Sequence, residues 1–524
     1  MKRYFKNYLI NLIFPSIVFG SITGILTAVT ILLYKIIAGH VISLSEQLYH
    51  FLRNHLYFLP PILALMFGAA VLFAYIYKRI PNLKGGGIPT SIAILRGIIG
   101  FKWFRNLIGV FLMSLISFLF GVPLGNEGPS VQMGTAIGRG TVRLFAKKHM
   151  AWDRYSMTGG ACAGFSVATG APISGIMFAI EEAHQRISPM IIIVSSISVI
   201  FANITSEILS PVFGVNTSLF ENTNLPTLSL KDVWLPICVG AAVGLFAVLF
   251  LNFYKVICTF FNKTLKKISL QYKIFAVFGL TLVAGIFSDS FVSTGHHLML
   301  SLFKYNPTVL MLLLILVIRS TLTLCANTNG ITGGMFIPLL VLGALLSAIL
   351  GNTMTVFFGL DKQYYSVILT LGIVACIASM MKMPLTAVVF AVEVLGCHTN
   401  IFYVITVCAV SYIITEIFGV KSINDTAVEE KIEALSENHT TKVIDTFVTV
   451  KKGSFAIGKQ IRDIFWPANL FVLSIAHDQN RKTIIDEHGE KSILEGDILH
   501  VRYSTYNEAD TKAELDAIVG NQDT

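Results

Sequence analysis

The chain has 524 residues, 54% hydrophobic and 13% charged, a composition outside that of an ordinary water-soluble domain and one that excludes a soluble enzyme. The net charge of +9 is unevenly spread, because 30 of the last 104 residues are charged against 39 of the first 420, and that last stretch holds 12 basic and 18 acidic residues. The basic excess therefore belongs to the apolar part and fits positively charged loops beside a membrane; no aromatic-interleaved basic stripe suggests nucleic acid.

The first residues, MKRYFKNYLINLIFPSIVFG, place Lys2, Arg3 and Lys6 before an apolar stretch with no small-residue cleavage site, so a cytoplasmic amino end and no cleaved signal are expected. Apolar runs follow near Phe14–Leu33, Leu59–Ile76, Leu107–Val122, Met190–Ile204, Val233–Leu251, Ile274–Phe287 and Val309–Val317, with several more from Phe336 to Phe418. The chain is thus read as an all-α polytopic membrane protein. Many runs are short or broken by Gly and Pro, which predicts tilted, re-entrant or half-length helices lining a pathway. The seven cysteines lie in apolar segments without CxxC spacing and read as small core residues, with no disulfide or metal site.

Two stretches repeat. APISGIMFAIEE (171–182) aligns with MPLTAVVFAVEV (383–394), pairing Pro172 with Pro384, Phe178 with Phe390 and Glu181 with Glu393 at an offset of 212 that Gly160 and Gly372 share. PSVQMG (129–134) pairs with PLLVLG (338–343) at offset 209. This order of turn, helix, helix and acid, found twice, predicts two related halves, about 14–210 and 230–420.

Three glycine-rich turns each run into a proline and an apolar segment: KGGGIPTSIAI (84–94), GNEGPSVQMG (125–134) and GGMFIPLLVLG (333–343). Proline suits the first helical turn, and glycine lets backbone approach a ligand closely. The free N–H groups and positive dipole ends of three converging helices would bind an anion. Backbone dipoles hold an anion less tightly than a buried Lys or Arg would, which suits release. Glu127 is the single charged residue between Asn106 and Gly138. A carboxylate among donors built for an anion can occupy the anion's place when ionised and leave it when protonated, linking proton uptake to anion access.

GGGIP, GNEGP and GGMFIP, in this order and spacing, resemble the selectivity-filter signatures of the CLC family of chloride channels and proton–chloride antiporters, over roughly Phe14 to Asp425. The resemblance implies the CLC fold of two inverted repeats, a homodimer with one anion pathway per subunit, secondary-active exchange of protons for chloride, no cofactor, and a location in the cell's inner membrane with both termini cytoplasmic. A passive anion channel, or a CLC carrier of fluoride or nitrate, is the alternative. Implied anion-site residues are Gly85, Gly86, Gly87, Ile88, Gly125, Asn126, Gly128, Met335 and Phe336. Glu127 falls on the family's gating glutamate. Glu182 matches the antiporters' inner proton-transfer acid, although a solvated helix end is its plainer reading; Glu181 and Glu393 are read as helix-end acids. The chain departs from the antiporter pattern where Gly86 replaces a serine and Asn424 a tyrosine, removing both hydroxyl ligands of the central site and leaving the Asn424 amide as a substitute donor. Asn126 replaces a common arginine.

Beyond Asp425, a polar linker (426–441) that reads as helical leads to a small α+β cytosolic domain, 442–505. VIDTFVTV, ANLFVLSIAH and LEGDILHVRY read as strands and IGKQIRDIF as a short helix, with 506–524 left as a tail. The segment resembles the TrkA-C domain found on many ion transport proteins, which implies a site for a small ligand. GSFAIGKQ (453–460) nearly spells a phosphate-binding loop, but Gln460 replaces the Mg²⁺-ligating hydroxyl, and HExxH and GxSxG are absent, so no enzymatic activity is expected.

Overall fold

The computed structural model describes residues 13–216, 219–220, 225–304, 307–436, 442–477, 482–484, 489–505 and 508–520. The basic amino end with Lys2, Arg3 and Lys6 lies outside the described residues. The helices are α1 (Phe14–Asn54), α2 (Leu59–Arg79), α3 (Ile88–Leu95), α4 (Trp103–Leu119), α5 (Glu127–Phe145), α6 (Asp153–Thr169), α7 (Pro172–Phe178), α8 (Pro189–Phe213) and α9 (Trp234–Thr259). They continue with α10 (Leu270–Phe287), α11 (His296–Leu302), α12 (Val309–Thr328), α13 (Phe336–Phe358), α14 (Tyr365–Met380), α15 (Pro384–Glu393), α16 (Ile401–Ile417) and α17 (Ile423–Ser436).

Among the described residues nine helical segments are long and apolar enough to cross a membrane. Their lengths are far from uniform. At 1.5 Å per residue the 41 residues of α1 span about 60 Å, twice a hydrocarbon core of about 30 Å, whereas the eight residues of α3 span about 12 Å. A helix that stops inside the bilayer must have its ends covered by protein, and α3 is buried along its whole length.

The two repeats fold alike. α5 and α13 pack on α6 and α14 in turn, and the paired glycines meet in both halves: a side chain on Gly134 would collide with the Gly160 carbonyl, and one on Gly343 would lie 2.7 Å from the Gly372 carbonyl. The repeats also lock together through their paired acids. The Glu181 carboxylate accepts from the amides of Leu385 (2.9 Å) and Thr386 (2.8 Å) and the Thr386 hydroxyl (2.7 Å), capping α15. Glu393 does the same to α7 through Ile173 N (2.6 Å), Ser174 N (2.8 Å) and Ser174 Oγ (2.7 Å). Each acid satisfies the orphan N–H groups of the other repeat's helix. All seven cysteines are free, and all but Cys238 are buried.

The C-terminal region forms an antiparallel sheet of β1 (Lys442–Thr449), β2 (Leu470–His477), β3 (Lys482–Ile484) and β4 (Ile498–Thr505), in the order β1-β4-β2-β3. Two sequence expectations need correction. IGKQIRDIF is no helix beyond a single tight turn at Ile461–Asp463. Its backbone pairs across to another segment, Gly458 N to Ile493 O (2.8 Å), Ile493 N to Lys459 O (3.0 Å) and Arg462 N to Gly489 O (3.0 Å), and its apolar residues serve two surfaces, Ile464 the sheet's core and Phe465 the membrane part. The polar linker keeps its expected helical form through Ser436, as α17, with Val428 buried in the membrane part. Residues 508–519, expected as tail, form helix α18 (Glu508–Val519), which buries Leu515, Ile518 and Val519 against the sheet. Within GSFAIGKQ, Lys459 is buried and spends its ammonium on the Phe455 carbonyl (2.5 Å) and ring (3.8 Å), which leaves it no reach to a phosphate.

Candidate anion site and its two acids

Three helices begin at one place. The glycine turns preceding α3, α5 and α13 are zipped together by backbone: Gly125 N donates to Gly334 O (2.7 Å), Gly334 N to Gly125 O (2.6 Å), and Gly85 N to Gly330 O (3.0 Å). Gly87, the residue before α3, has φ +72°, a conformation that favours glycine, and any β-carbon there would collide with the Gly128 carbonyl. A β-carbon on Gly128 would in turn collide with the Gly86 carbonyl and lie 2.6 Å from Gly334 Cα. The glycines are thus required by interstrand distance, and this seam brings the predicted residues Gly86, Gly87, Gly125, Gly128 and Met335 together. Thr332 fastens it from outside, donating to Leu83 O (2.8 Å) and meeting the Tyr77 hydroxyl (2.7 Å).

None of the three helix starts has a side-chain cap. Proline at the second position of α3 and the third of α5 and α13 removes one donor from each, and no capping side chain covers the remaining first-turn amides, of which those of Glu127 and Ile337 face the Glu127 carboxylate. Ile88 N is bonded to Gly86 O (2.8 Å), so of the expected anion-binding residues it contributes dipole and shape without a free donor. Phe336, at the start of α13, is fully buried with its ring edge-on to Phe165 (5.1 Å) and Phe390 (5.5 Å), which holds the adjacent backbone in place. Asn126 is half-buried at the mouth of α5, its carbonyl accepting from Ser130 Oγ (2.8 Å).

Glu127 is fully buried in this seam. Its carboxylate folds back against Gly125, with the amides of Glu127 and Ile337 as its nearest backbone donors, and neither oxygen makes a well-formed hydrogen bond. A buried carboxylate so placed is held by dipoles rather than by a partner, which leaves it free to move or to titrate. Lys35 of α1 is the cation that acts on it from a distance; its ammonium donates to Val167 O (3.3 Å) and Ala168 O (3.4 Å) at the end of α6.

The second acid, Glu182, sits in a widened helical turn, Ala179–Ala183, that continues α7. Consecutive helical residues point about 100° apart, so Glu181 caps α15 while Glu182 turns inward and is 3% exposed. The burial removes the solvated helix-end reading of Glu182. Its Oε1 accepts from Asn424 Nδ2 (3.0 Å). The sequence pattern suggests that the Asn424 amide donates to the anion; in the structure one of its N–H groups is given to the Glu182 carboxylate.

Sequence reasoning missed three neighbours. Arg96, at the end of α3, donates to Glu182 O (2.9 Å) and Ala183 O (3.0 Å) and pairs with Asp425 (3.6 Å). Asn327 of α12 fills the space beside Gly86, its Oδ1 3.3 Å from where a β-carbon would stand, with Nδ2 donating to the Tyr254 hydroxyl (3.1 Å). Lys35 is the third. Nothing in local spacing marks any of them, though each is a polar residue inside an apolar run.

Comparison with known proteins agrees with this geometry. The chain is 26% identical over 400 residues to the H(+)/Cl(-) exchange transporter ClcA of Salmonella arizonae, covering 74% of this chain and 84% of that one. It is 27% identical over 380 residues to the ClcA of Salmonella typhimurium, 71% of this chain and 79% of the relative. Among solved structures, a slow cyanobacterial Cl-/H+ antiporter superposes with a TM-score of 0.72 at 24% identity over 80% of this chain and 98% of that one. A CLC-type fluoride/proton antiporter superposes at 0.64, with 18% identity over 78% and 98%. Residues 67–416, well over half the chain, match the voltage gated chloride channel family, and the chain belongs to that family.

Proposed function

We propose that the protein is a secondary-active antiporter that exchanges chloride for protons across the membrane, with Glu127 as the acid that alternates with the anion and Glu182 as the inner proton acceptor. The observation that carries this reading is Glu127 itself, a fully buried carboxylate without a well-formed hydrogen bond, seated where three uncapped helix starts converge. Ionised, it takes the dipoles' positive ends. An arriving anion competes for the same donors, and like-charge repulsion in low dielectric favours taking up a proton, so one event drives the other. A proton leaving Glu127 needs a second buried acceptor, and Glu182 supplies it. The relatives named as exchange transporters support the same assignment.

The second reading is a carrier of another anion, fluoride or nitrate, favoured by Gly86, which supplies no hydroxyl to the central site. The passive channel is disfavoured by the buried second acid. In this reading the protein works as a homodimer with both termini cytoplasmic in the inner membrane, and the C-terminal sheet is a TrkA-C-like regulatory domain that binds a small ligand. The test is Glu182→Gln in liposomes: proton movement is lost while chloride movement persists. Unchanged proton flux in that variant contradicts the role given to Glu182.

A further inference from the structure

Asn424 stands at a junction that the anion site does not explain. It is the second residue of α17, is 2% exposed, and its Nδ2 lies 3.0 Å from Glu182 Oε1. The start of α17 is held rigidly: Ser422 Oγ accepts from Asp425 N (2.9 Å) and bonds the Asp425 carboxylate (2.9 Å). Asp425 then pairs with Arg96 (3.6 Å), and Arg96 returns to the Glu182 and Ala183 carbonyls (2.9 and 3.0 Å). The ring is closed. It joins Glu182 side chain, Asn424, Asp425, Arg96 and Glu182 backbone, so α17 and the end of α3 fix both the main chain and the carboxylate of the inner acid. The charged groups acting on Glu182 are Asp425, Arg96 and Glu181, and the last is committed to capping α15.

From this geometry we propose that Asn424 is a positioning residue for proton transfer, and not a ligand of the anion. The inference rests on the exchange reading above. A carboxamide carries both a donor and an acceptor. Nδ2 serves the ionised carboxylate as it does here, and by turning over, the amide offers Oδ1 to the protonated acid, so Glu182 keeps a partner in both states. Arg96 ties this device to the anion turn, because the helix it terminates, α3, begins at Gly87 in the seam.

The test compares full-length wild type, Asn424→Leu, Asn424→Ala and Asn424→Gln in liposomes, recording chloride and proton turnover together and the chloride concentration for half-maximal flux. In Asn424→Leu, which keeps the branched shape without a donor, proton turnover per chloride falls at least fivefold while the half-saturating chloride concentration stays within twofold. Asn424→Ala gives the same split without overpacking and decides the matter if the leucine variant fails to fold. Asn424→Gln, which retains the amide, recovers most of the coupling. A several-fold rise in half-saturating chloride with the proton-to-chloride ratio intact would make Asn424 an anion ligand and overturn the proposal. A wild type that moves chloride but no protons overturns the exchange reading itself, and the inference with it.

Discussion

Replacing Gly128 by alanine tests the claim that the anion site exists because three backbones touch. The added β-carbon would collide with the Gly86 carbonyl and stand 2.6 Å from Gly334 Cα, where carbon atoms ordinarily approach to about 3.5 Å. Both obstacles are backbone, so no side-chain rotation relieves them, and the seam must open by about 1 Å. Overpacking of this kind costs about 1–3 kcal/mol of stability. The shift also carries the α5 amides away from the α3 and α13 ends, lengthening a hydrogen bond to a bound anion beyond useful range. Losing one charge-assisted bond of about 1.5–3 kcal/mol weakens anion affinity roughly 10- to 150-fold. Calorimetric chloride titration of the detergent-purified protein reads the affinity, and thermal unfolding reads the stability. Gly68→Ala is the control, since nothing lies within 4 Å of a β-carbon there. Wild-type chloride affinity and stability in Gly128→Ala would refute the close-contact account.

Further outcomes follow from other parts of the molecule. Glu393→Ala strips the cap of α7 and leaves two amides and the Ser174 hydroxyl without their acceptor, costing about 1–2 kcal/mol in thermal unfolding. The surviving protein keeps its proton-to-chloride ratio, and loss of coupling would mean that Glu393 takes part in transport. Phe465 stacks on Tyr155 (4.4 Å) and His184 (4.4 Å) with the Arg186 guanidinium 4.7 Å from its ring, so Phe465→Ala loosens the C-terminal domain. Hydrogen exchange then accelerates in 179–186 and 461–466 by tenfold or more, and unchanged protection would show the contact to be dispensable. Burial pushes the Lys459 ammonium down to about 8 from an unfolded value near 10.4, so the folded domain binds fewer protons across that window and its stability rises as pH is raised from 8 to 10. Lys459→Met removes that rise, worth at most about 3 kcal/mol, and thermal unfolding at the two pH values checks it.

What the sequence made legible was what glycine, proline and isolated charge announce locally. The three turns, the lone Glu127 and the offset of about 210 residues all have a physical cause within a few residues of the chain, and the repeat pointed to Glu181 and Glu393 as a matched pair. That each caps the other repeat's helix was not legible, because a cap of this kind spans about 200 residues. The bond from Asn424 to Glu182 was illegible for a related reason: the position of Asn424 in the sequence pattern suggests the anion, while its carboxylate partner lies 242 residues away in the chain. IGKQIRDIF misled because its apolar spacing suits a helix, whereas Ile464 and Phe465 are drawn to opposite surfaces, the sheet's core and the Tyr155–His184 platform. Arg96 and Lys35 lie in runs that read as helix ends, and their partners are backbone carbonyls and, for Arg96, the Asp425 carboxylate, all distant in sequence.

The most direct test of exchange is to load liposomes containing the wild-type protein with high chloride, place them in low chloride at equal pH, and follow external pH as chloride leaves. The account predicts that protons move into the vesicles against their own gradient as chloride exits, and that Glu127→Gln abolishes this uphill movement. Chloride efflux with no proton movement, or proton movement that survives Glu127→Gln, would contradict it.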